Sequence, residues 1–354
     1  MLLTVRGQAY VAPDRVARIA GWRRSIACLV VIGLLVTACG QAVAGPGPAS
    51  GTRNSPSAST QPSSPPVANC SPPPARAFGS LVYDSSHKQV VLFGGLGNEE
   101  FSDTWIWNGT CWSQATTAAA PSPRSYAASA FNPATGSVFL YGGRGATNAF
   151  LFDAWTWDGS TWNQVNTAGG PNLVLPVAAF DPLTNNVVVL GLTADYKSVQ
   201  TWTWDGSWQQ RQPQTSPTPR VSTATAYDPV SRRVLLFGGR NPADLSYLGD
   251  TWFWDGSNWS VLNPNSGPST RQDASMASVP NGVLLYGGVQ PGLRNTDTWL
   301  WNGTSWQQVI TQHSPPPNAT AVSTSPGGVL AVVAPIGSTT CQTFEFYQGD
   351  WVQR

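Results

Sequence analysis

Charge is scarce in this 354-residue sequence, where Lys, Arg, Asp and Glu together make up 10%, against about a quarter in an ordinary soluble domain. Nothing basic is clustered enough to neutralise a phosphate backbone or to hold lipid headgroups, which excludes nucleic acid as a partner. Histidine is nearly missing: His87 and His313 are the two present. His87 falls in a turn and His313 in a linker at the opposite end of the repeat unit described below, so they read as solvated loop residues and not as partners in a metal site. No nucleophile motif, phosphate-binding glycine loop or paired-histidine helix occurs. Glu99 and Glu100 imitate a carboxylate pair, but adjacent side chains diverge and a solvated loop explains them better. The residues therefore point to no catalytic group, metal or cofactor.

Tryptophan is abundant instead, with 17 copies, and it repeats. Five near-identical signatures punctuate the chain: DTWIWNGTCW from Asp103, DAWTWDGSTW from Asp153, TWTWDGSW from Thr201, DTWFWDGSNW from Asp250 and DTWLWNGTSW from Asp297. Their final tryptophans, Trp112, Trp162, Trp208, Trp259 and Trp306, with a sixth at Trp351, lie 45 to 51 residues apart. That is the period of one propeller blade per repeat. In the second repeat Ala127 to Phe131 and Val138 to Tyr141 read as the first two strands, ending in Gly142-Gly143. Ala154 to Trp157 makes the third, and Asp158-Gly159 turns the chain into Thr161 to Val165. Asp-Gly and Asn-Gly close tight hairpins, and the glycine pair permits backbone angles barred to other residues. Trp155 and Trp157, two apart, share one face of a strand. A lone four-stranded sheet cannot bury such a face; a closed ring of them does.

These residues resemble the Kelch-repeat family, β-propellers related to the central domain of galactose oxidase. The resemblance rests on Arg124 at the first strand, Tyr141-Gly142-Gly143 after the second, Asp153 and Trp157 in the third and Trp162 in the fourth, and runs from about Arg76 to the C-terminus. The Asp-box of sialidase-like propellers also combines aspartate, glycine and tryptophan, but here aspartate directly precedes glycine and the double glycine is present. The resemblance implies an all-β, six-bladed Kelch-type β-propeller. The copper chemistry of galactose oxidase needs histidines and tyrosines that the two separated histidines do not supply.

Repeats one, two, four and five share an arginine at the first strand (Arg76, Arg124, Arg220, Arg271), a double glycine, and an aspartate opening the third strand (Asp103, Asp153, Asp250, Asp297). Repeats three and six lack all three, and Pro171-Asn172 matches Pro317-Asn318, so two pseudo-repeats of three blades are expected. Arginine and aspartate start strands at the same end and vanish together. A bidentate ion pair within each blade is one reading; a ring of guanidinium groups offered to an anionic ligand is the other.

Arg23-Arg24 precede an apolar run from Ile26 to Ala38, right for a secretory signal and short for a membrane span. Val36-Thr37-Ala38-Cys39-Gly40 resembles the bacterial lipobox, so residues 1–38 read as leader and signal peptide and Cys39 as a lipidated residue anchoring the protein to the outer face of a cell membrane. Residues 39–74, rich in Pro, Ser, Ala, Gly and Thr, read as a disordered tether, and residues 75–354 as the propeller. The first 38 residues hold five of the 19 basic and one of the 18 acidic side chains, so the remainder carries 14 against 17, a net of −3.

In an exported protein the remaining cysteines sit in an oxidising compartment. Cys70 precedes the first strand of blade one and Cys341 the third strand of blade six, which suggests a Cys70–Cys341 disulfide fastening the ring, with Cys111 at the opposite end left out. Recognition falls to the long, dissimilar loops between second and third strands, and to Phe101, Arg144, Phe150, Arg240, Tyr247 and Arg294 on them, burial within the loops being the alternative. A monomeric binding module for a protein or a cell-envelope glycan is the expected function. An envelope glycosidase or lyase with unrecognised acids and a structural spacer stand as alternatives.

Overall fold

The computed structural model describes residues 70–262, 266–317, 319–325 and 327–354. The signal segment, the lipobox at Cys39 and the tether as far as residue 69 lie outside the described residues, as does Asn318. The fold is all-β, six antiparallel sheets set as the blades of a propeller, five of four strands and that of blade two with a short fifth, Arg124–Ser125. Blade one comprises Ser80–Asp84, Gln89–Phe93, Thr104–Trp107 and Trp112–Ala115, innermost first. Blades two to six open with inner strands Ala128–Asn132, Val174–Asp181, Ala224–Asp228, Ser275–Val279 and Ala319–Thr324. Each inner strand touches the next all round the ring, that of blade six meeting that of blade one.

Alternation within strands builds the core between blades. Val90, Leu92, Trp105 and Trp107 of blade one pack on Leu330 and Val332 of blade six, while Val91 and Phe93 face Val138, Leu140, Trp157 and Trp162 of blade two. In five of the six blades the last tryptophan reaches back to a threonine at the start of the third strand of the preceding blade; Trp208 of blade three, which faces Ala154, is the exception. Nε1 donates to Oγ1 from Trp162 to Thr104, Trp259 to Thr201, Trp306 to Thr251 and Trp351 to Thr298, at 2.9–3.0 Å. Trp112 closes the ring by donating to Thr343 at 2.7 Å.

The repeat signature also marks the duplication. Phe93 and Phe237 pack on the following blade's tryptophan in blades one and four; Tyr141 and Tyr286 do so in blades two and five. The tyrosine hydroxyls donate to the carbonyls of Pro171 at 2.6 Å and Pro315 at 2.5 Å, in the linkers leading to blades three and six. Burial pushes the Tyr141 hydroxyl up to about 12, keeping it a donor. The two blades without arginine are thus tied in by a tyrosine of the blade before.

The disulfide joins Cys70 to Cys111, and Cys341 is a free, buried thiol, in contrast to the pairing expected from sequence. The linker before an inner strand does not stay at the end where that strand starts; it runs the height of the blade. Residues 70–75 form a strap lying between the first and last blades. Ser71 N–H donates to the Trp112 carbonyl, while Ala75 N–H donates to the Thr339 carbonyl and Cys341 N–H to that of Pro73. Cys70 therefore sits at the third-to-fourth-strand turn of blade one, an extended span of about 20 Å from Arg76. Other linkers make the same contact without a covalent bond: Thr215 N–H donates to Asn258 Oδ1 and His313 N–H to Asp350 Oδ1, both acceptors directly preceding a last-strand tryptophan as Cys111 does.

Candidate functional site

The two ends of the ring differ. One carries short turns, which nest into one another at two blade boundaries, the His87 ring over Gly159 of the next blade and Val230 over Gly303; between blades two and three a cavity of about 400 Å³ is lined partly by such turns, at Asn132, Thr135 and Gly206. The other, the loop end, carries the connections between second and third strands. In blades two and four these are hairpins in which the strands run on past the double glycine, Ser137–Gly145 with Phe150–Trp157 and Arg233–Arg240 with Tyr247–Trp254, the register shifting at the glycines. In blade five a separate small hairpin pairs Val289–Gln290 with Leu293–Arg294. Gly94 and Gly238 show why glycine is needed there. Each has positive φ, and a Cβ would lie 2.6 and 2.7 Å from the carbonyl oxygens of Arg124 and Arg271 in the next blade.

Beneath these loops lie the four Arg–Asp pairs. Arg76, Arg124, Arg220 and Arg271 are buried and bind Asp103, Asp153, Asp250 and Asp297 through both terminal nitrogens, at 2.5–2.9 Å. In blade two Nε of Arg124 also donates to the Ser122 carbonyl, Nη1 to the Gly142 carbonyl and Nη2 to Ser122 Oγ, so all five guanidinium donors are engaged. Blades four and five repeat this with Thr218 and Ser269 in place of Ser122. Such arginines hold strands together and offer a ligand no donor. Burial tends to raise the carboxyl pKa of Asp153, Asp250 and Asp297. The bonds from arginine and tryptophan and the guanidinium charge outweigh it, holding each below the usual carboxylate value. In blade three Leu173, fully buried, stands two residues before the inner-strand bend where the other blades have arginine, and Gln200 replaces aspartate as acceptor for Trp202 Nε1 at 3.0 Å.

The loop residues differ in their settings. Phe101 lies under its own loop, the Arg76 guanidinium 4.2 Å from its ring centroid. Phe150 meets Tyr196 edge-on. Arg240 sits over Tyr247 and donates from Nε to the Leu245 carbonyl. Arg294 is exposed beside Leu293. Arg144 follows the double glycine of blade two as Arg240 follows that of blade four, yet it is only 9% exposed and its Nε is buried without an acceptor. Its side chain makes no hydrogen bond or ion pair among the described residues. Its guanidinium lies 5.4 Å from the ring centroid of Tyr126.

Tyr126 belongs to a feature that sequence reasoning missed. At the loop end the axis of the ring opens into a cavity of about 180 Å³, lined by Phe78, Tyr126, Leu175, Ser222 and Asp273 together with residues that follow them. These five hold equivalent places in blades one to five, and all have left-handed backbones, φ 49–59°. Non-glycine residues rarely adopt that conformation, and it concentrates at functional sites. The collar is fixed from blade to blade: Tyr126 N–H donates to the Phe78 carbonyl and Asp273 N–H to that of Ser222, both at 2.9 Å. Phe78 and Tyr126 stack with centroids 4.2 Å apart, and Gln272 Nε2 donates to Asp273 Oδ2. The signal in sequence was faint, a residue two after each arginine followed by a small one: Phe78-Gly79, Tyr126-Ala127, Ser222-Thr223, Asp273-Ala274.

The histidines each pair with one carboxylate, His87 with buried Asp84 and His313 with Asp350, both at 2.7 Å. The His313 contacts hold the Asp350 carboxyl down to about 2. No cluster of three metal-ligating side chains occurs among the described residues. No model of a known protein family matches the sequence, and no curated protein does.

Proposed function

We propose that the chain is a Kelch-type interaction module, exported and held at the outer face of a membrane by lipid on Cys39, that recognises a protein or envelope glycan at the loop end of its ring. One observation carries the reading: the long, dissimilar loops, the left-handed collar and the axial cavity share one end, whereas the opposite end carries only short turns. Loops displayed on a rigid scaffold are where recognition sits. Asp–Arg pairs, with all five guanidinium donors engaged in blades two, four and five, give that end stiffness, which supports binding by preformed loops. The lipobox supports the location, and the proline- and serine-rich tether supplies reach without orientation.

The test is capture of envelope proteins and glycans by the full chain purified in detergent, with substitutions at either end. Leu293→Asp with Tyr247→Ala at the loop end is expected to abolish capture, and Lys88→Ala at the turn end to leave it intact. Capture that survives the first and fails with the second would overturn the assignment of the face.

A further inference from the structure

The boundary between blades two and three departs from the rest of the ring. Three residues, Asp205, Gly206 and Ser207, separate the paired tryptophans Trp204 and Trp208 of blade three, where each other blade places four between the equivalent aromatics. This boundary holds the cavity of about 400 Å³, with Asn132, Thr135, Ser137 and Val165 of blade two on one side and Trp204 and Gly206 of blade three on the other. Two buried donors line it without a partner. Asn132 is 5% exposed and Trp204 7%. Asn132 Oδ1 accepts from Ala134 N–H, but its Nδ2 makes no hydrogen bond among the described residues. Nor does Nε1 of Trp204, whose ring packs on Phe139 and Trp208. Neither nitrogen is sealed from solvent, whereas Nε1 of Trp157 and Trp254, the same tryptophan in blades two and four, is. The boundary of blades four and five shows what the pair lacks. Trp301 holds the place of Trp204 and Asp228 that of Asn132; Trp301 Nε1 donates to Asp228 Oδ2 at 3.0 Å, while Asp228 Oδ1 accepts from Val230 N–H. With a carboxamide in place of the carboxylate, one oxygen is taken by the turn and the remaining group can only donate.

We propose that this cavity binds an uncharged N-acetylated sugar, its acetamido carbonyl oxygen accepting from Asn132 Nδ2 and Trp204 Nε1. Both groups donate, so the ligand brings the acceptor. No charged side chain lines the cavity, so an anionic acceptor would give up its water with no counter-charge in return, and a neutral carbonyl fits better. The acetyl methyl lies against Val165 and Phe139. The sugar hydroxyls, which both donate and accept, meet the hydroxyls of Thr135 and Ser137 and the carboxamide of Asn166. Thr135, Asn166 and Gly206 are exposed, which leaves the cavity open to an entering ligand. Size agrees: about 400 Å³ lies within the range of roughly 300–1,000 Å³ typical of small-molecule sites. The short turns bound this site and the long loops do not, so it stands independently of recognition at the loop end.

The experiment is saturation-transfer NMR titration of the full chain in detergent with N-acetylglucosamine, glucose and N-methylacetamide. N-acetylglucosamine is expected to bind about tenfold more tightly than glucose, which lacks the acetamido acceptor, and its acetyl methyl to receive the strongest saturation. N-methylacetamide, the amide without the sugar, is expected to bind more weakly than N-acetylglucosamine. Asn132→Asp offers Trp204 the acceptor that Asp228 gives Trp301, and is expected to bring N-acetylglucosamine down to the level of glucose. Leu293→Asp with Tyr247→Ala at the loop end is expected to leave its binding unchanged. N-acetylglucosamine bound no better than glucose, or no better than N-methylacetamide, would overturn the proposal, and both comparisons are made on the unaltered chain. Unaltered binding by the Asn132→Asp protein would overturn it as well, as would loss of binding in the loop-end variant, which would move the sugar to the other end of the ring.

Discussion

A single hydroxyl separates blade two from its neighbours. Five blades open the third strand with threonine after the first residue of the signature; blade two has Ala154. The tryptophan that follows it round the ring, Trp208, is left with a buried Nε1 and no acceptor, where its counterparts bond Thr104, Thr201, Thr251, Thr298 and Thr343. Blade five shows that tyrosine and threonine coexist at this interface, since Tyr286 packs on Trp351 while Thr298 accepts from it. Ala154→Thr is therefore expected to stabilise the protein by about 1 kcal/mol, a rise of roughly 2 °C in melting temperature for a domain this size. A lower melting temperature would show that the shorter blade-three hairpin places Trp208 out of reach.

Within an element, the protein holds its own control for what an Arg–Asp pair contributes. Blade three puts Leu173 and Gln200 where blade two has Arg124 and Asp153. Arg124→Leu alone leaves a carboxylate without its partner and is expected to cost about 3–5 kcal/mol, as is the loss of one member of any buried pair. Adding Asp153→Gln, which keeps an acceptor for Trp155, is expected to recover most of that loss. Losses in the melting temperature that merely add would mean the two residues act independently. The ion pairs were legible before the structure because arginine and aspartate appear and disappear together along the sequence. The disulfide was not, because a linker carries no signal for whether it runs down a blade or stays at its end. Cys70–Cys111 closes a loop of 41 residues, and the chain-entropy model values such a loop at up to about 4 kcal/mol. Cys70→Ser is expected to lower the melting temperature, and Cys341→Ala not to change its response to reductant. Peptide mapping without reduction checks the pairing; a Cys70–Cys341 peptide would refute it.

At the scale of the whole ring, tryptophan spacing announced six blades because each repeat must bury the same aromatic face against the next. The collar at the mouth gave no such warning. Phe78, Tyr126, Leu175, Ser222 and Asp273 share a backbone conformation and no side-chain chemistry, so no residue type repeats to mark it. The same repetition makes acid sensitivity a property of the whole molecule. Asp153, Asp250 and Asp297 each have a folded pKa below the 3.8 of the free side chain. A carboxyl depressed in this way contributes stability in full above its unfolded pKa, and that contribution is lost as the pH falls through the folded value. Denaturant unfolding should therefore give a stability that is level near neutrality and drops below about pH 4, where the unfolded chain takes up protons that the paired aspartates refuse. The Arg124→Leu, Asp153→Gln protein has one such carboxyl fewer, so its slope of stability against pH in that range should be shallower by up to one proton. An unchanged slope would mean that Asp153 titrates alike in both states, and that the guanidinium does not hold its proton off.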